Sequence, residues 1–329
     1  MATLYLTEQG ATLSKTDERL VIRKKRKVLQ EIPAIHVDQI VVFGNAQFTT
    51  SAFKFLMDQQ IDVAYLSSHG TYRGRLQPPV TKNARLRQAQ YKRLSDPDTC
   101  LESARQVIIG KLENAKTFCR RQRVQTDKVT TALGILDRSS HQVALAETLD
   151  AIRGYEGVAS AAYYEAFRTL LKQDFGFAAR LHHPPPDPIN ILLSLGYTLL
   201  SNQVYGAINI VGLDPFQGFF HQTRHGHATL ASDLMEEWRT ILVDSVVLSV
   251  VNREEITKQD FHRRKGEIIL SKEGLETFLR RYDHRVATNV FHPLIKQTTS
   301  YVRCLELQVR QFAAVLLGEQ ETYRPFRAR

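Results

Sequence analysis

Short alternating runs open the chain, and longer helical periods fill the rest. "TLYLT", "ATLSK", "RLVIRK" and "KVLQEI" carry β-branched or alternating apolar residues parted by polar breaks, the period-two pattern of half-buried strands. "QIVVFG" and "DVAYLS" are apolar enough for buried strands. Between them "TTSAFKFLMDQQ" predicts a helix with a Thr/Ser start and Phe53, Leu56 and Met57 at helical spacing. The two prolines of "LQPPV" can continue neither a ladder nor a helix, and they place a linker at 78–82. Beyond it the period becomes 3.6. Helices are expected over Asn83–Leu94, Pro97–Arg121, Lys128–Leu136, His141–Phe167, Ile189–Val211, Thr229–Val251, Lys272–Tyr282 and Pro293–Leu317. "HHPPPDPIN" reads as a rigid extended loop and "GLDPFQG" as a turn. The predicted fold is α+β in two domains. A small β-rich, β-sandwich-like domain covers 1–77, and a larger all-α domain covers 83–329.

Charge changes the picture more than composition does. At 43% apolar residues, the 329-residue chain can bury an ordinary globular core. No stretch approaches the roughly 20 uninterrupted apolar residues of a membrane helix, and the opening "MATLYLTEQG" is a strand pattern rather than a secretory signal. Cys100, Cys119 and Cys304 are widely spread, which excludes a CxxC zinc site and a disulfide framework and suits a reducing cytoplasm. Forty-four Lys and Arg against thirty-four Asp and Glu leave a net charge of +10. The excess is clustered in "RKKRK", "KNARLRQAQYKR", "CRRQR" and "HRRK". One such run is an ordinary solvated face; four together point to a polyanion, with nucleic acid the commonest.

The densest candidate chemistry lies in "FFHQTRHGHATLASDLMEEWR", Phe219–Arg239. On an ideal helix over Ala228–Val250, Asp233, Glu236, Glu237, Thr240 and Asp244 share one face beside an apolar stripe of Leu230, Leu234, Trp238, Ile241 and Leu248. That face is either a solvated acidic surface or part of a metal site. "HQTRH" fails as a zinc-protease HExxH because Gln222 replaces the general base. His221 follows the "GLDPFQG" turn, from which an imidazole can lean across a helix N-terminus toward the carboxylates. His225 and His227 flank Gly226 in a second turn. Upstream, Glu156 in "RGYEGVASAAYYEAF" is followed by small residues that admit a neighbouring helix. A carboxylate there requires either an arginine partner such as Arg153 or a bound cation.

Three ordered motifs resemble one family. "YEGVASAAYYEAF", then "INILLSLGYTLLSNQVYGAINIVGLDPFQGFFH", then "TLASDLMEEWR" are similar to the CRISPR-associated integrase, the universal, first-numbered Cas protein of the spacer-acquisition module. The likeness runs over most of the chain, including the closing Tyr-x-Pro-Phe of "YRPFRAR". Trp238 and Thr240 stand where the family often has Phe and Pro.

The resemblance implies a divalent-metal site, Mg²⁺ or Mn²⁺, with Glu156, His221 and Glu236 as ligands and Asp233 assisting catalysis. Asn202 and Tyr205 are expected to be supporting or packing residues, and Arg239 matches the arginine that closes the motif; Arg224 and His225 are further DNA-contact candidates, with His225 and His227 additional to the family pattern. The resemblance also implies DNA joining by attack of a fragment's 3′-hydroxyl on the CRISPR repeat. The implied partners are double-stranded DNA, a second copy held through the β-rich domain, and the small second-numbered Cas adaptation protein, with no membrane. A stand-alone metal-dependent DNA nuclease of repair or recombination is the alternative, and a non-enzymatic DNA-binding protein is the third reading.

Overall fold

The computed structural model describes residues 3–78, 83–124, 126–181, 185–264, 266–293 and 295–328. The expected linker at 78–82 falls largely outside them, as do Lys82 and Lys265 of the basic clusters, His182, His183 and Pro184 of the proline-rich loop, Leu294 and Arg329. The chain forms two compact units, Met1–Thr81 and Lys82–Arg329.

Among its described residues the first unit holds two four-stranded sheets and one α-helix. In chain order these are β1 (Thr3–Leu6), β2 (Ala11–Thr16), β3 (Arg19–Lys24), β4 (Lys27–Pro33), β5 (Gln39–Phe43), β6 (Ala46–Phe48), α1 (Thr50–Asp58), β7 (Asp62–Leu66) and β8 (Tyr72–Leu76). One sheet has the order β1-β5-β7-β8 and the other β4-β3-β2-β6. Alternate residues of both sheets, including Leu4, Leu6, Leu13, Leu20, Ile22, Ile40, Val42 and Val63, meet Phe55 and Leu56 of α1 in one apolar core. Thr49 caps α1 by accepting from the Ala52 amide. The short strands β6 and β8 were not legible, since "AQF" and "YRGRL" lack a repeating apolar face. β4 is an edge strand with its first five residues exposed, and Val28, Leu29 and the nearby Ile35 stand in solvent.

The second unit is mostly helical: α2 (Ala84–Leu94), α3 (Pro97–Arg120), α4 (Asp127–Leu145), α5 (Leu149–Leu170), α6 (Pro188–Val211), α7 (Thr229–Met235), α8 (Ser245–Asn252), α9 (Lys272–Ala287) and α10 (Tyr301–Leu317). It is not all-α. Two hairpins interrupt it, β9 (Phe261–Arg264) with β10 (Glu267–Leu270), and β11 (Asn289–His292) with β12 (Gln297–Ser300). The second hairpin replaces the expected helical start at Pro293, and α10 begins only after Ser300 caps it. The expected break near 137–140 is also absent. Asp137 and Ser140 reach Lys116 and Glu113 of α3, so polar residues there are satisfied inside a continuous α4. The chain breaks instead at Ala146, whose carbonyl Arg105 takes at 2.9 and 2.6 Å, and Thr148 caps α5.

Between α7 and α8 the helix changes its winding. Glu236–Trp238 is a 3₁₀ turn and Arg239–Asp244 a π-helix. A constant 100° per residue therefore fails here, and the acidic residues do not share one solvated face. Asp233, Glu236, Glu237 and Asp244 are all buried, at 0, 3, 0 and 1% exposure.

Glu237 is aimed away from the others, at the C-terminal segment. It accepts from the Tyr323 hydroxyl at 2.7 Å and the Phe326 amide at 2.8 Å. Asn114 of α3 donates to the carbonyls of Glu237 and Phe326, both at 2.8 Å. Phe326 stacks on Trp238 with ring centres 4.7 Å apart. Gly110 makes room for the segment, because a Cβ there would lie 2.4 Å from Pro325 Cβ. The motif at the end of the sequence is thus a brace behind the helix that carries Glu236.

Burial pushes the Glu237 carboxyl up to about 8 despite its hydrogen bonds. The folded chain then retains a proton that the unfolded chain has lost between the ordinary Glu value and about 8. Stability should accordingly fall with rising pH across that window, by up to about 1.4 kcal/mol per pH unit, and level off above it. Glu237→Gln should remove this component. Melting temperatures of the two proteins should diverge in favour of the variant up to pH 8 and run parallel beyond; a constant difference from pH 5 to 8 would refute the assignment.

Candidate active site

The turn before α7 is built to approach that helix closely. Gly212 closes α6 at φ 98°, a left-handed value that glycine adopts without strain. Gln90 of α2 pins the turn, donating to the carbonyls of Asp214 and Gln217 at 2.8 and 2.9 Å and accepting from the Asp214 amide. A side chain at Gly218 would place its Cβ 2.4 Å from Asp233 Oδ2 and 2.8 Å from the Leu230 nitrogen, so only glycine fits.

Asp233 holds the end of this turn. Its carboxylate accepts the amides of Phe219, Phe220 and His221 at 2.7, 3.0 and 2.9 Å, and its Oδ1 meets His221 Nδ1 at 2.6 Å. Its four contacts make it a positioning group whose oxygens face inward. With Nδ1 committed, His221 presents Nε2, which lies 3.8 Å from Glu236 Oε1. Burial opposes charging of this imidazole, but the bond to Asp233 and the nearby Glu236 outweigh it and raise its pKa.

Glu156 of α5 and Glu236 meet at a residue the sequence reading missed. Lys111 of α3 lies 2.5 Å from Glu156 Oε1 and 2.7 Å from Glu236 Oε2. Arg239 adds a second contact to Glu236 at 3.2 Å. Burial works against ionisation of Glu236, yet Arg239, Lys111 and His221 together bring it down to about 2. Burial likewise opposes a charge on Glu156, and Lys111 outweighs it and lowers its pKa. The partner expected for Glu156, Arg153, pairs instead with Asp150 and the Phe220 carbonyl. Of the small residues after Glu156, Gly157 has open space around it and Ala161 is exposed, so only Ala159 is fully packed. A signal for Lys111 did exist: it falls on the α3 seam of Ala104, Val107, Ile108, Leu112, Ala115 and Cys119, where a lone lysine demands a buried partner.

These groups line a cavity of roughly 1140 Å³ together with Arg180, Arg224, His227 and a tyrosine cluster. Tyr163 and Tyr197 donate to Asp244 at 2.8 and 2.5 Å, and Tyr197 meets Tyr164 at 2.6 Å. Arg239 lies over the Tyr197 ring at 4.5 Å and Arg180 at 5.3 Å. The buried Nε atoms of Arg180 and Arg239 have no hydrogen-bond partner among the described residues. The cavity thus brings carboxylates to one point and guanidinium charge beside it.

Of the residues singled out in the sequence, Glu156, His221, Glu236, Arg224 and Arg239 line this cavity, and Asp233 lies behind it, bonded to His221. Asn202, Tyr205 and His225 do not line the cavity. Asn202 is buried within α6 and donates to the Thr198 carbonyl, and Tyr205 packs edge-on against Phe216. His225 and His227 are both exposed, and His227 meets Ser232 at 3.2 Å.

The donor set suits a hard divalent cation: two carboxylates and one imidazole, with the Lys111 ammonium already standing between the carboxylates. As the side chains stand, no three His, Cys, Asp or Glu among the described residues are gathered tightly enough to hold a metal ion. A cation that took the place of the ammonium would meet both carboxylates, so the residues fit such an ion once Lys111 gives way. No helix among the described residues is long and apolar enough to cross a membrane.

Residues 4–284 match the family model described as CRISPR associated protein Cas1. The chain is 38% identical to "CRISPR-associated endonuclease Cas1 3" of Thermus thermophilus, over 99% of this chain and 97% of that protein. Among solved structures it is similar to a casposase bound to integration product, with a TM-score of 0.86 at 24% identity over 98% of this chain and 93% of that one. A Cas6-RT-Cas1–Cas2 complex gives the same TM-score at 23% identity, covering all of this chain and 36% of that one. At these identities the structural likeness is one of fold.

Asp233→Asn would put an amide donor against backbone donors. It should cost about 2–3 kcal/mol and lower the melting temperature. His221→Ala keeps the backbone contacts and should cost far less. Equal melting temperatures for Asp233→Asn and the parent would show that Asp233 does not hold the turn.

Proposed function

The chain belongs to the Cas1 family, and from that premise we propose that it is a divalent-metal-dependent DNA integrase of CRISPR adaptation. A short DNA fragment's 3′-oxygen forms a new bond to phosphorus in the repeat as the existing bond to the leaving 3′-oxygen breaks. One phosphodiester replaces another, so no nucleotide cofactor is consumed. The observation that carries this reading is the meeting of Glu156 and Glu236, 80 positions apart in the chain, at a single cationic point 2.5 and 2.7 Å away.

Glu156, Glu236 and His221 are the residues that would hold Mg²⁺ or Mn²⁺. Such an ion polarises a phosphate and lowers the pKa of an attacking hydroxyl. The protein's own groups do the rest. Asp233 fixes the His221 ring so that Nε2 faces the cavity, able either to bind the ion or to carry a proton. Lys111, Arg180 and Arg239 line the same cavity and place positive charge where a phosphate under attack gains negative charge.

The DNA partner is supported by the +10 net charge and by the integration product named for the casposase. A second copy is supported by the exposed edge strand β4 with Val28, Leu29 and Ile35. The second-numbered Cas protein as partner is supported by the complex in which a similar fold occurs. Hydrolysis by the same residues, with water as attacker, is the second reading, favoured by the endonuclease name of the Thermus relative.

A joining assay with a labelled 3′-hydroxyl fragment and a repeat-bearing plasmid separates the two readings. Covalently linked product is expected, and cleavage alone would leave the nuclease. Glu156→Ala and Glu236→Ala should each lower joining by at least about a hundredfold with DNA binding largely spared. Chelation should do the same, and restored Mg²⁺ or Mn²⁺ should reverse it. Normal joining by either variant would overturn the site.

A further inference from the structure

A second cavity, of roughly 590 Å³, shares Thr240 with the first, so the π-helical segment forms a wall common to both. Arg121, Arg123, Lys172, Arg253 and Arg285 line it, and no carboxylate is among its described lining residues. Arg285 is already engaged, donating to the Ile241 carbonyl at 2.9 Å and lying over the Tyr301 ring at 4.8 Å. The other four cations have no ion pair among the described residues.

An ordinary explanation for part of this charge is near at hand. The C-termini of α3, α5 and α8, at Arg120, Leu170 and Asn252, all lie beside the cavity. Each carries about half a negative charge, so three offset about 1.5 of the four uncommitted positive charges. About 2.5 charges remain without an answer, inside a concave surface of the size that holds small ligands. Three of the four cations are arginines, whose planar forks match phosphate oxygens.

We propose that this cavity is a second nucleic-acid subsite, which takes phosphates of the DNA strand outside the linkage that reacts. The inference rests on the DNA-joining reading above and deepens it. It gives the "CRRQR" run, Cys119–Arg123, a function that the carboxylate site leaves unused. The contacts are to the backbone, so the subsite would position DNA without reading its sequence.

The test uses the full chain and a fluorescent DNA duplex with 3′-hydroxyl ends, with affinity measured by anisotropy over a salt series. The triple variant Arg121→Gln, Arg123→Gln, Arg253→Gln alters exposed side chains. It should lower the slope of log affinity against log salt by about 2–3 and weaken binding at low salt by at least about tenfold. Ser249 lines the same cavity. Ser249→Glu should weaken DNA binding by about tenfold relative to the near-isosteric Ser249→Gln, which places the effect inside the cavity. Equal affinities for those two, or an unchanged salt slope in the triple variant, would overturn the subsite. The same outcome follows if the variants alter competition by inorganic polyphosphate but not DNA affinity. Wild-type protein that binds DNA in this manner but never joins it would refute the integrase reading and leave the subsite standing; wild-type protein that binds no DNA would refute both.

Discussion

Four buried carboxylates on one twelve-residue stretch set the terms for the whole second unit. A charged group taken out of water is stable only beside a partner, and Asp233, Glu236, Glu237 and Asp244 each draw theirs from a different part of the chain. Asp233 takes the turn at 219–221, Glu236 takes Lys111 and Arg239, Glu237 takes the segment from Tyr323 to Phe326, and Asp244 takes the tyrosines of α5 and α6. The shift from α to 3₁₀ to π winding makes this possible, because it turns neighbouring acids toward different partners. Regular helix would have stacked them together.

The same arrangement separates chemistry from support. Only Glu236 of the four opens onto the point where Glu156 and His221 also arrive, and Arg239, Lys111 and His221 keep it ionised against its burial. Glu237 beside it is held toward the protonated form by burial, in a place where its task is to receive the C-terminal segment. Two adjacent glutamates thus behave oppositely because one faces cations and the other faces hydroxyl and amide donors.

Much of this was legible in the amino-acid sequence, and the exceptions have physical reasons. Strands such as "QIVVF" and helices such as Pro188–Val211 announce themselves through unbroken apolar runs, caps and a terminal glycine. Glu156, His221, Asp233 and Glu236 could be singled out because motif order carries information that spacing does not. Treating 228–250 as one ideal helix misplaced Glu237 and Asp244, since no local rule announces a π turn. Asn202 and Tyr205 pack away from the cavity lining, because a long helix has an inner and an outer face and proximity to the turn does not decide between them. Lys111 was overlooked because its partners lie 45 and 125 residues away, although its place on an apolar seam was visible.

The brace on Glu237 also bears on how the molecule matures. Tyr323 and Phe326 follow Glu237 by 86 and 89 residues, so the acid-bearing helix leaves the ribosome long before its lock does. During that interval Trp238 lacks its stacking ring and Asn114 lacks one of the two carbonyls it joins. Until that segment arrives, the stretch that carries Glu236 lacks the support it has in the folded protein.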